Sequence, residues 1–102
     1  MTPGHRIILV HGFFRTRRDM RFLANHFRRR GFRTSAFTLP ATFGSLADCV
    51  EQFGHHMEAL STEGEILHFI GHSMGGLIIR AFLAETRVPR LGRCVFIATP
   101  HQ

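Results

Sequence analysis

Two hydrophobic patterns alternate along the chain: short continuous apolar runs, and longer stretches in which apolar residues recur every three or four positions. Ile7-Ile8-Leu9-Val10, closed by His11-Gly12, suits a strand buried on both faces of a parallel sheet. Thr16-Arg17-Arg18-Asp19 then has capping-box spacing, and Met20, Leu23, Ala24 and Phe27 follow at helical spacing until Gly31. This predicts an amphipathic helix with an arginine-covered outer face. Residues 32–39 read as a second strand stopped by Pro40. Ser45-Leu46-Ala47-Asp48 repeats the capping-box spacing and opens a second helix, with Leu46, Val50, Phe53, Met57 and Leu60 as its buried stripe. A third strand is expected at 65–70, a third helix at 75–86 with Leu77, Ile78, Ala81 and Phe82 inward, and a fourth strand at 94–98.

The order βαβαβαβ implies right-handed crossovers and a mostly parallel sheet with helices on both faces, an α/β fold. No linker, repeat or low-complexity segment divides residues 1–102, so one domain is expected. In such sheets ligands sit at the carboxyl ends of the strands, where this chain places glycine-containing turns at 11–12 and 71–76.

Composition changes this picture only at its margins. With 102 residues, 44% of them hydrophobic and 11 of them Phe, the chain can bury a core and is not a disordered tail. No apolar stretch approaches the roughly 18 residues of a membrane span, and residues 7–10 are too short for a signal-peptide core, so a cytoplasmic location is expected. Without an export signal, Cys49 and Cys94 are expected as reduced, buried thiols. The net charge of +6 rests on 13 basic residues, every one Arg, a bias that fits GC-rich coding. Most of them crowd between Arg15 and Arg33, which leaves room for an anionic partner such as a membrane surface or nucleic acid. No metal-binding Cys/His spacing, H-E-x-x-H or aromatic RNA-binding signature occurs, so no metal, cofactor or nucleic-acid partner is assigned.

The chemistry centres on "IGHSMGG", residues 70–76. G-x-S-x-G alone is weak, arising by chance in on the order of one chain in thirty of this length. Here it falls where a predicted strand becomes a predicted helix, the setting in which a strained turn lifts a serine hydroxyl above the sheet edge. Side chains at Gly71 and Gly75 would crowd that turn, and the helix start offers N–H groups and a positive dipole end. His11-Gly12-Phe13 follows the first strand, expected beside the strand that carries Ser73. The N–H groups of Phe13 and Met74 then converge on one oxygen, as acyl transfer requires.

On "IILVHGFF" (7–14), "HFIGHSMGGLIIR" (68–80) and "GRCVFIATPHQ" (92–102), the chain resembles the α/β-hydrolases of the lipase and esterase group, over nearly its whole length. The resemblance implies Ser73 as nucleophile, Phe13 and Met74 as oxyanion donors, and a carboxylic ester, small-molecule or lipid, as substrate. His11 is expected to shape the oxyanion loop by hydrogen bonding, and His72 to point away from the serine and pack. The family's triad runs Ser, then Asp or Glu, then His. After Ser73 this sequence has only Glu85 and His101 as such groups. Glu85 falls in the helix after the elbow, and His101 at a position that in related sequences belongs to the pocket wall. The chain is therefore expected to be the front part of a hydrolase domain, C-terminally incomplete, with nucleophile and oxyanion loop but without triad acid and histidine. The alternative is a non-catalytic binding module on this scaffold, using the Arg-rich helix for an anionic partner. In either case residues 94–98 are expected as a bare sheet edge, with no charge or proline, inviting self-association.

Overall fold

A computed structural model describes residues 4–11, 17–39, 44–60 and 62–97. The elements are β1 (His5–His11), α1 (Arg17–Arg28), β2 (Arg33–Thr38), α2 (Leu46–Ala59), β3 (Ile66–His72), α3 (Met74–Glu85) and β4 (Leu91–Ile97). The strands form one sheet in the order β2-β1-β3-β4, with every pairing parallel. The expected βαβαβαβ order holds, and β1 does lie beside the strand that leads to Ser73.

Alternation along β1 sends its side chains to two cores. Ile8 and Val10 join Leu67, Phe69, Ile78, Ile79 and Phe82 beneath α2 and α3, while Ile7 and Leu9 join Ile70, Met20 and Ala24 beneath α1. Helices therefore cover both faces. At the amino ends of the strands, buried Glu65 binds Arg6 Nε at 2.9 Å and Arg33 at 3.5 Å, and Arg6 also donates to Ser35 Oγ at 2.8 Å. This network ties β1, β2 and the entry to β3 together. Both cysteines are free, and burial pushes both thiols above their ordinary pKa, with Asp48 adding to the effect on Cys49.

Punctuation residues set the element ends. Gly31, at φ 91°, closes α1: its N–H reaches Arg28 C=O and that of Phe32 reaches Phe27 C=O, the paired bonds of a Schellman cap. Phe27 and Phe32 supply the accompanying apolar contact, edge to face at 5.8 Å. Ser45 and Asp48 form the expected reciprocal capping box of α2. The box expected at Thr16–Asp19 lies outside the residues whose side chains are described.

Three expectations are corrected. Leu46 is 42% exposed rather than part of the α2 stripe, because in the first turn it projects past the edge of the core that Cys49 and Phe53 fill. The third strand runs on to His72, since Gly71 and His72 pair with Val10 and His11 on one side and Phe96 and Ile97 on the other. β4 begins at Leu91, so the edge strand includes an exposed charge, Arg93. It also carries an irregularity, three β4 steps from Leu91 to Cys94 against two β3 steps from Leu67 to Phe69. The Arg93 N–H there donates to His68 Nδ1 at 2.9 Å, an approach open because Gly92 has no Cβ to strike the His68 ring.

Candidate active site

β3 delivers the chain to the sheet's carboxyl edge at His72, and α3 starts at Met74, so one residue, Ser73, makes the whole reversal. It adopts φ 57°, ψ −129°, and is the one non-glycine residue at positive φ among those described. Such a conformation costs about 1–3 kcal/mol and persists only where its surroundings enforce it. Those surroundings are visible: Ser73 N–H donates to Ile97 C=O at 2.9 Å, and its own C=O accepts from Gly76 N–H at 3.2 Å. β4 on one side and the first turn of α3 on the other hold the turn in place.

The flanking glycines are required by contact. A Cβ on Gly71 would stand 2.6 Å from Gly76 Cα, and one on Gly75 would run into the Val10 carbonyl, 2.6 Å from its carbon. The obstacle at Gly75 is thus the backbone of β1, and α3 sits that close to the sheet only because residue 75 has no side chain. Met74 occupies the first helical position, where the N–H has no intrahelical partner, and the Ser73 side chain does not cap it. The positive end of the α3 dipole therefore opens at Ser73.

The neighbouring strand end is locked. Buried His11 faces Thr38 with Nε2 to Oγ1 at 2.7 Å, and its C=O accepts from Leu39 N–H at 3.1 Å. β1 and β2 are thereby fixed to each other immediately before residue 12, and the loop that His11 is expected to shape lies outside the described residues. No local pattern marks Thr38 as the partner, because the register that sets His11 opposite Thr38 depends on the sheet order. Phe13, expected as the second N–H donor, and His101 lie outside the described residues. His72 is half-buried, and its Nδ1 is buried without a hydrogen-bond partner among the described residues.

Glu85 ends α3, eleven residues from Met74, or about 16 Å along the helix axis. That span places it toward the opposite edge of the sheet from Ser73. Asp48 stands at the start of α2, with its carboxylate engaged in the capping box. A hollow of about 600 Å³ lies between α2 and α3 and does not touch Ser73. No group of three or more metal-ligating side chains occurs among the described residues.

A parallel sheet covered on both faces, with a strained serine at the crossing from strand to helix, defines an α/β protein of the hydrolase type. Residues 7–101 match the model of the alpha/beta hydrolase family, and the chain belongs to that family. No curated protein matches the chain significantly.

Proposed function

We propose that the chain carries the nucleophile half of a serine acyl hydrolase of the carboxylic-ester or lipase type. The backbone of Ser73 supports this most directly: a strained φ, ψ held by β4 and α3 sets the serine at the start of a helix whose first N–H groups are unpaired within it. In this reading Ser73 Oγ attacks the acyl carbon as its proton passes to a base, and the carbonyl electron pair moves onto oxygen. The N–H groups of Met74 and Phe13 receive that oxyanion, and its collapse expels the alcohol, which takes the proton back from the base, and leaves an acyl-serine for water to cleave. Small-molecule or lipid esters are the substrates, in a cytoplasmic setting. No helix among the described residues is long and apolar enough to cross a membrane.

The serine proton needs a base, and neither Glu85 nor Asp48 is placed to complete a triad. On these residues alone, Ser73 keeps its ordinary high pKa and attacks slowly. The same observation favours a second reading, a hydrolase scaffold used as a binding module. A fluorophosphonate probe separates the two. The acyl-hydrolase reading expects a slow adduct on Ser73, absent in Ser73→Ala and accelerated by added imidazole as an external base. An adduct mapped elsewhere by mass spectrometry, or equal labelling of Ser73→Ala, leaves the binding-module reading. Self-association through the β4 edge accompanies either.

A further inference from the structure

The most exposed large apolar side chain of the described residues is Phe22, at 76%, and it does not sit at a strand edge or a hollow. It projects from the outer face of α1, whose inner face is taken up by Met20, Leu23, Ala24 and Phe27 against the sheet. Exposed Arg21 adjoins it, exposed Asn25 and His26 stand three and four residues on, Arg28 ends the helix, and Arg29 and Arg30 follow in the turn after it. Residues 17–39 contain seven arginines, Arg17, Arg18, Arg21, Arg28, Arg29, Arg30 and Arg33, against one acidic residue, Asp19. Arg28 is held flat by Thr34 Oγ1 at 2.9 Å and Asn25 Oδ1 at 3.3 Å, and Arg33 reaches Glu65. Arg21, Arg29 and Arg30 have no partner of opposite charge among the described residues, so their charge faces outward.

A cationic surface of this kind alone fits any polyanion. The central phenylalanine narrows it. In water an exposed Phe gains at most a weak cation–π contact from neighbouring arginines, whereas at a lipid interface the ring enters the headgroup and acyl boundary while the guanidinium groups pair with phosphates. A convex helix with one apolar anchor also lacks the basic groove and successive aromatic platforms that single-stranded nucleic acid uses.

We infer that the outer face of α1 is a docking surface for an anionic lipid bilayer, with Phe22 as its inserted side chain and Arg21, Arg29 and Arg30 as its electrostatic ring. The surface is the same whether Ser73 is catalytic or not: the inference rests on the Arg-rich helix of the binding-module reading, to which it assigns one occupant, and is independent of the acyl-hydrolase reading.

The test uses the 102-residue chain, which contains no Trp and no Tyr, so Phe22→Trp installs its sole strong fluorophore. With vesicles of phosphatidylcholine and phosphatidylserine, the indole emission is expected to shift to the blue and to be quenched by brominated acyl chains. Pure phosphatidylcholine should give neither. Co-sedimentation should weaken with salt, by about tenfold for Phe22→Ser and roughly fivefold for each of Arg29→Gln and Arg30→Gln. Circular dichroism should be unchanged, because these side chains are exposed. An indole at position 22 that brominated chains fail to quench, equal binding by Phe22→Ser, or tighter binding to an oligonucleotide than to the vesicles at the same ionic strength would overturn the inference.

Discussion

At the scale of single residues, the site stores its strain in one place. Ser73 is held at φ 57°, where glycine would rest without penalty, and two backbone hydrogen bonds and the tight α3–β1 approach keep it there. Ser73→Gly is therefore expected to be more stable than Ser73→Ala by about 1 kcal/mol in urea denaturation, after the added flexibility of the unfolded chain is subtracted. Equal midpoints for the two variants would mean the turn is not strained. The converse holds at Gly75, where even alanine meets the Val10 carbonyl. Gly75→Ala should lose at least about 3 kcal/mol, far more than an exposed glycine-to-alanine change such as that at Gly64, although Gly64 also has positive φ. The motif announced the serine and both glycines in the sequence. That the clash partner at 75 is β1 was not legible, because it depends on how closely a helix lies over a strand more than sixty residues earlier in the chain.

Elements were legible where local chemistry decides them. Ser45 with Asp48, and Gly31 after Phe27, mark helix ends through bonds that span three to five residues, and those ends fall where the spacing puts them. Strand limits were read less well, since pairing with neighbours, not local pattern, extends β3 to His72 and starts β4 at Leu91. The histidines on β1 and β3 show what such pairing hides. Arg93 N–H donates to His68 Nδ1, so the His68 proton sits on Nε2 and is donated to His5 Nδ1 at 2.9 Å. The rings are nearly coplanar, 11° apart with centroids at 5.2 Å, which is the geometry of an in-plane hydrogen bond and not of a face-to-face stack. A second proton on His68 would confront the Arg93 amide. Burial, His5 and Arg93 all hold its pKa below the ordinary value, and burial does the same to His56, packed beside Phe37 and Phe53.

These depressed values fix the sign of a pH dependence. Above the unfolded pKa of about 6.5, both states carry neutral imidazoles and stability is at its plateau. As pH falls through that value, the unfolded chain takes up protons that the folded chain refuses, so stability declines until the lower folded pKa is reached. Urea melts from pH 8 to pH 5 should show this loss, and His68→Gln should show a shallower slope. The same slope in parent and variant would remove His68 as a source.

At the scale of the whole molecule, the sheet ends at β4 among the described residues, and only part of that edge is protected. The irregularity at Gly92 and Arg93 breaks the ladder and places a charge in the strand, two devices that discourage pairing with another chain. They were invisible when the edge was expected to begin at Cys94. Beyond them Val95 and Ile97 remain 47% and 41% exposed, on the sheet face that α1 covers further toward β1. The Ile97 carbonyl faces β3, where it binds Ser73, so by alternation the backbone groups open to another copy are those of Cys94 and Phe96, which flank the exposed Val95 side chain. The parent chain is therefore expected to self-associate as its concentration rises through the micromolar range, with size increasing in light scattering. Val95→Lys should abolish this, because a pairing of like edges would then bury lysines close to one another. The substitution is directed at an exposed side chain and leaves the Ile97 to Ser73 hydrogen bond in place, so the rate of Ser73 labelling should not change. A parent that stays monodisperse and monomeric over that range would show that Gly92 and Arg93 protect the whole edge. A Val95→Lys chain that associates as the parent does would place the contact on another surface.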